Sequence, residues 1–291
     1  MVEYNPKDWF TFIFRVHKAD TFRKLLPMII AICIYSGIIA YLETEVWKLA
    51  ESSHVKNITL LHSMLGFVIS LLLAFRSNTA YDRWWEGRKH WGSLVNASRN
   101  LAMKMAAILP ENDEHRAYFR VMIPNFAFSL KNHLRGKYHA GDFISTHGFS
   151  HENIDPHKHV PNQIAFLMID KVNRLYKQGT ITGDQLITLN TEMQSFADIC
   201  GACERIRNTP IPFSYSAFLK KFIFAYVMTL PFGFVFSLGY YVIPVIGFIF
   251  YVLASLELIA EEIENPFGLD ANDLPTDSLS ANIRNHVGEL I

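Results

Sequence analysis

Three apolar runs along the chain are long enough to cross a bilayer, and the polar positions between them decide how they are joined. No charge interrupts Leu25 to Leu42 or Ile58 to Phe75, each 18 positions long. At about 1.5 Å of rise per residue, each just spans a hydrocarbon core. A third uncharged run, Phe222 to Ser255, continues for 34 positions and carries Pro231, Gly233, Gly239 and Pro244. That is too long for one crossing, so it is expected to fold as two crossings joined by a tight outer turn. The predicted spans are residues 25–42, 58–75, 222–238 and 240–256.

The second span does not stop at the membrane. Asn78 to Leu109 lacks proline and is rich in Ala, Leu, Met, Arg and Glu, so the helix is expected to run on into water until Pro110 ends it. Further helices are predicted over 114–134, 162–178 and 184–207, with a loop of Gly, Pro and His over 136–161. The N-terminal 22 residues, with Trp9, Phe10, Phe12, Ile13 and Phe14 among basic residues, read as an amphipathic interfacial segment. No linker divides this pattern, so residues 1–291 read as one unit.

Charge sets the orientation. Lys7, Arg15, Lys18, Arg23 and Lys24 precede the first span, and Arg76, Arg83, Arg88 and Lys89 follow the second. Between those spans Lys48 and Lys56 face Glu43, Glu45 and Glu51. The positive-inside rule then puts both termini and residues 76–221 and 257–291 in the cytoplasm of a multi-pass cell-membrane protein, an inner-membrane one if the cell is bacterial. Residues 1–8 do not read as a cleavable signal peptide, so the first span is expected to be retained.

Composition agrees with a lipid partner. Half of the 291 residues are hydrophobic, and 27 basic residues balance 27 acidic ones, which argues against nucleic-acid binding. Cys200 and Cys203 match a redox CxxC spacing, but no βαβ pattern surrounds them, and helix packing is the expected use of these small residues.

In the second span Ser63, Gly66, Ser70, Ala74 and Ser77 share one small-residue face, which lets membrane helices approach closely. Phe67, Leu71 and Phe75 recur every four residues on another face, a stripe that must meet lipid, a neighbouring helix or a pore. His62, an ionisable group near the outer end of this span, is a candidate for the outer mouth or for packing. Six histidines, His133, His139, His147, His151, His157 and His159, crowd 27 positions. Zinc is one reading; without an HExxH-like spacing a mobile polar loop is the preferred one.

Three ordered motifs carry a resemblance. Residues 75–89, Phe-Arg-Ser-Asn-Thr-Ala-Tyr-Asp-Arg-Trp-Trp-Glu-Gly-Arg-Lys, resemble a signature of the bestrophin family. Thr209-Pro210-Ile211-Pro212-Phe213-Ser214-Tyr215 and Glu261-Glu262-Ile263-Glu264-Asn265-Pro266-Phe267-Gly268, with Asp270 and Asp273 beyond, are similar to its other two. The likeness extends over about residues 10 to 275. It implies an all-α membrane protein of four transmembrane helical segments and a cytoplasmic helical domain, assembled as a homopentamer around a central pore. It further implies that Phe67, Leu71 and Phe75 form the pore neck and that Ile211 forms a cytoplasmic constriction. Calcium-responsive members carry acidic residues where this chain has Leu269, Ala271 and Asn272. Asp270 and Asp273 are thus at most a weak calcium site, and a solvated acidic tail is the preferred reading.

The function expected is conduction of small monovalent ions, without catalysis or cofactor, through a hydrophobic gate that opens by wetting. Cation selectivity, sodium-like, is favoured by the resemblance, which is to short bacterial-type members associated with cations, and by the outer Glu43, Glu45 and Glu51, which Lys48 and Lys56 partly cancel. The alternatives are a chloride channel of the same fold, or a membrane-bound metal-binding protein or scaffold that does not conduct.

Overall fold

The computed structural model describes residues 21–47, 53–111 and 113–291. The N-terminal interfacial segment and the outer charges Lys48 and Glu51 lie outside them. Among the described residues there are eight α-helices and no strand beyond a single bridge between Thr146 and Phe149. They are α1 (Thr21–Tyr41), α2 (Ser53–Ile108), α3 (Glu114–Leu134), α4 (Val160–Lys177), α5 (Gly183–Asn208), α6 (Phe213–Leu238), α7 (Val242–Glu264) and α8 (Thr276–Leu290).

Three helical stretches are long and apolar enough to cross a membrane: Thr21–Val46, Ile58–Ile108 and Phe213–Glu264. The third is α6 and α7, separated by a 3-10 turn over Gly239–Tyr241. Gly239 takes φ +55°, a left-handed value that suits glycine, and there α6 ends. Each apolar helix outruns its uncharged core. Pro212 stands at the N-cap of α6, which therefore begins nine residues before Phe222, and α7 carries the acidic segment to Glu264. Leu42–Val46 continues α1 as a π-helical turn that buries Glu43.

The chain folds into two compact units where the sequence shows no linker. One holds the residues up to Arg83, Pro210–Glu264 and Asp270–Asn272; the other holds Trp84–Thr209, Asn265–Leu269 and Asp273–Ile291. The first division falls inside α2, and a boundary within a continuous helix leaves no Pro- or Gly-rich trace. With 56 residues α2 is about 84 Å long, nearly three hydrocarbon thicknesses.

In the first unit α1, α2, α6 and α7 meet through Ile32, Ile69, Leu73, Ile223, Leu230 and Phe250. In the second, Trp91, Leu94 and Met105 of α2 pack with Phe119 and Phe126 of α3 and Phe196 of α5. The Phe126 and Phe196 rings meet edge to face at 4.9 Å. Helix starts follow side-chain caps. Asp113 accepts the His115 N–H at 2.7 Å, and Thr182 and Gln185 form a reciprocal capping box.

The histidine-bearing loop differs from the mobile segment expected. Phe143, Phe149 and Ile154 are buried, and the Asn125 side chain bonds both backbone groups of Ile144, at 2.8 and 3.0 Å. Apolar anchors spaced among the histidines pin the segment, a pattern that polar content alone hides.

Candidate ion pathway

The faces of α2 determine what a single chain can cover. His62, Ile69, Leu73, Arg76 and Ala80 are buried along one side. Phe67 lies two positions before Ile69, about 200° round the helix, and so on the opposite side. Phe67, Leu71 and Phe75 are 71%, 46% and 58% exposed, a continuous apolar stripe that the described residues leave largely uncovered. Below it the exposed side turns polar, through Asn78, Thr79 and Asp82.

The small residues serve two purposes. A Cβ at Gly66 would stand 2.8 Å from the Tyr226 hydroxyl, so this glycine admits α6. Ser63 and Ser70 are exposed and donate to their own preceding turn, to Thr59 O at 3.0 Å and Gly66 O at 2.8 Å. With its donor satisfied, each hydroxyl is tolerable on an apolar face. His62 stands away from that face. Its Nδ1 lies 2.9 Å from Ile58 O, to which Nδ1–H donates, and its Nε2 3.1 Å from the Thr229 hydroxyl. The ring is buried against Tyr226 and Phe234 of α6.

Ile211 sits where the chain enters α6, and a carboxylate from α7 fixes its backbone. Its N–H donates to Glu264 Oε1 at 2.7 Å, while Arg76 Nη2 donates to Glu264 Oε2 at 2.7 Å. Arg83 Nε adds a bond to the Glu264 carbonyl at 3.0 Å, and Tyr215 donates to Leu72 O at 3.1 Å. Arg76, 1% exposed, also stands 3.5 Å from Glu257. The acidic end of α7 is thereby compensated, with Lys24 paired to Glu262 and Lys220 to Glu261. The sequence signalled only a basic residue directly after the apolar run. Its partners, 181 and 188 positions away, carry no local signal.

Asp270 is exposed and Asp273 is buried. A Cβ at Gly268 would stand 2.7 Å from Asp273 Oδ2, which accounts for the glycine of the third motif. Asn272 donates to Glu262 Oε2 at 2.7 Å, so this amide hydrogen-bonds the acidic cluster rather than extending it.

Cys200 and Cys203 are free and buried on α5. Burial pushes the Cys200 thiol up to about 12 and raises that of Cys203 as well, the reverse of what a redox thiolate requires. Beside them the fold unites two of the histidines. His133 from the last turn of α3 and His159 at the N-cap of α4 both reach Glu204 of α5.

A long apolar helix with one side left largely bare, continuing into a compact helical unit, is the arrangement to be set beside known membrane channels. The family model described as bacterial/fungal bestrophin protein matches residues 1–289. The chain is 37% identical over 232 residues to a voltage-dependent anion channel-forming protein of Nostoc sp. (strain PCC 7120), covering 77% of this chain and 75% of that one. It is 34% identical over 220 residues to a protein of the same description from Escherichia coli (strain K12), covering 75% and 71%. A crystal structure of a bacterial bestrophin homolog from Klebsiella pneumoniae superposes with TM-score 0.81 at 28% identity, over 92% of this chain and 98% of that one. The chain belongs to the bestrophin family. It is a membrane protein and an ion channel.

The expected preference for cations gains nothing from these relatives, two of which are named for anions. Its charge argument is also reduced, because Glu43 is 2% exposed while Glu45 alone of the described outer carboxylates reaches solvent.

Proposed function

We propose that five copies of this chain assemble around one axis, with Phe67, Leu71 and Phe75 of each α2 forming a hydrophobic neck and Ile211 a second constriction. Both chain termini face the cytoplasm, and α1, the first part of α2, α6 and α7 cross the membrane. The carrying observation is the bare apolar stripe on the side of α2 opposite its buried face, running into Asn78, Thr79 and Asp82. A helix side that passes from apolar to polar along its length suits a path leading from a dewetting neck into water. Symmetry supplies the walls that one subunit lacks.

The conducted species are small monovalent ions, and the chain acts as a conduit rather than a catalyst. The anion reading comes first, supported by the description of the relatives and by the burial of Glu43. The cation reading is second, supported by the exposed Glu45 at the outer end of α1. His62 is read as a packing group that seats α2 on α6.

Two measurements test this. Mass measurement of the detergent-solubilised protein is expected to give five chains per particle; a stable monomer or dimer refutes the pore. Reversal potential in a planar bilayer under a sodium chloride gradient decides selectivity. A shift toward the chloride equilibrium potential supports anions, and one toward the sodium potential supports the second reading.

A further inference from the structure

We propose that His133, His159 and Glu204 form a binding site for a divalent transition metal of the zinc class. Three separate elements deliver these groups, from positions 71 and 45 residues before Glu204. Both Nε2 atoms lie 2.6 Å from the same Glu204 oxygen, and the imidazole centroids are 4.4 Å apart. The three ligand atoms fall within 4.8 Å of one another, and this is the only such cluster among the described residues. Each side chain is between 26% and 30% exposed, enough for an ion to enter from water.

The donor set selects the ion. Two imidazoles and a carboxylate suit zinc, cobalt or nickel, whereas calcium and magnesium take oxygen ligands. Ligands at about 2.0–2.1 Å from a tetrahedral zinc stand roughly 3.3 Å apart, so the N–O separations need open by less than about 1 Å. Rotation of the Glu204 side chain provides that.

Three protein ligands leave one position open. His133 also lines a cleft of about 300 Å³, together with Lys137, Lys158 and Arg207. A basic rim of this kind favours hydroxide or a small anion as fourth ligand. The Arg207 guanidinium also donates to the His133 carbonyl at 2.9 Å, which holds the end of α3 in place. Coordination replaces the two Nε2–H bonds to Glu204, and one further bond is surrendered on loading. His159 Nδ1 accepts the Asn162 N–H at 3.1 Å, and coordination through Nε2 returns the ring proton to Nδ1. The site is therefore one of moderate affinity, and a plain hydrogen-bonded triad is its competitor.

The experiment uses full-length protein in detergent, stripped by a chelator and titrated with Zn²⁺ against a chromophoric competitor, and with Co²⁺ followed by visible absorption. Wild type is expected to bind one ion per chain, with the Co²⁺ bands of a tetrahedral site and a thermal midpoint raised by Zn²⁺. Glu204→Gln keeps the shape, and His159→Asn keeps a residue that caps helices well. Each is expected to lose more than about a hundredfold in affinity, beyond the usual loss from an outer-shell partner, and to lose the thermal shift. His147→Ala, in the exposed part of the loop, should bind as wild type does. No uptake by wild type overturns the proposal, as does uptake unchanged in both Glu204→Gln and His159→Asn. Neither outcome bears on conduction.

Discussion

Glu264 Oε1 lies 2.7 Å from the backbone nitrogen of Ile211, so the proposed cytoplasmic constriction is held by a side chain at the end of α7. The other oxygen of the same carboxylate binds Arg76, the residue after Phe75. One carboxylate thus ties the entry of α6 to the lower end of the apolar stripe on α2.

Removing the cation from this tether leaves Glu264 and the buried Glu257 uncompensated. Loss of one partner of a buried ion pair costs about 3–5 kcal/mol. Arg76→Met is expected to lower the unfolding free energy in detergent by an amount of that order, with a lower midpoint, and Arg76→Met with Glu264→Gln to recover part of it. An unchanged midpoint in the single variant means the pair carries no weight.

Gly87 of the first motif faces the third. A Cβ there would stand 3.1 Å from Pro266 and 3.2 Å from the Phe267 ring, which is 1% exposed. Neither neighbour has room to give, so Gly87→Ala is expected to destabilise by about 1–3 kcal/mol, the usual cost of overpacking. Denaturant unfolding with secondary structure as the probe checks this.

Acid should weaken the second unit through Asp277. Its hydrogen bonds from Arg135 and Lys131 hold the carboxyl at about 2, below its ordinary 3.8. The folded value is the lower one, so the unfolded chain binds more protons between the two. The contribution is complete above about 3.8 and is lost as pH falls toward about 2. The thermal midpoint of wild type should therefore fall toward that of Asp277→Asn across this window. A constant gap between the two proteins would refute the linkage.

Calcium should leave conduction almost unchanged, since Leu269, Ala271 and Asn272 supply no carboxylate and Asn272 already binds Glu262. Liposome flux with and without calcium tests this. Steep activation that Asp270→Ala abolishes would show a working site.

Local signals made much of this legible. Helix α3 runs over the residues expected because Asp113 caps it, and the continuation of α2 followed from an absence of proline. The stripe of Phe67, Leu71 and Phe75 was readable from its period of four. What escaped depends on residues far apart in the chain. The Arg76–Glu264 pair spans 188 positions, and Glu204 meets His133 and His159 only once α3, α4 and α5 have packed. The division within α2 left no trace because the helix crosses it unbroken.

The neck is the central claim, and ion flux through liposomes reconstituted with Leu71→Ala tests it most directly. Three stacked apolar rings resist an ion because its hydration has no polar replacement, so the barrier depends on ring width and wetting. Leu71→Ala widens the middle ring and is predicted to raise flux above wild type in particles of unchanged mass. Unchanged flux for Phe67→Ala, Leu71→Ala and Phe75→Ala in intact assemblies would contradict the account, placing the stripe against lipid.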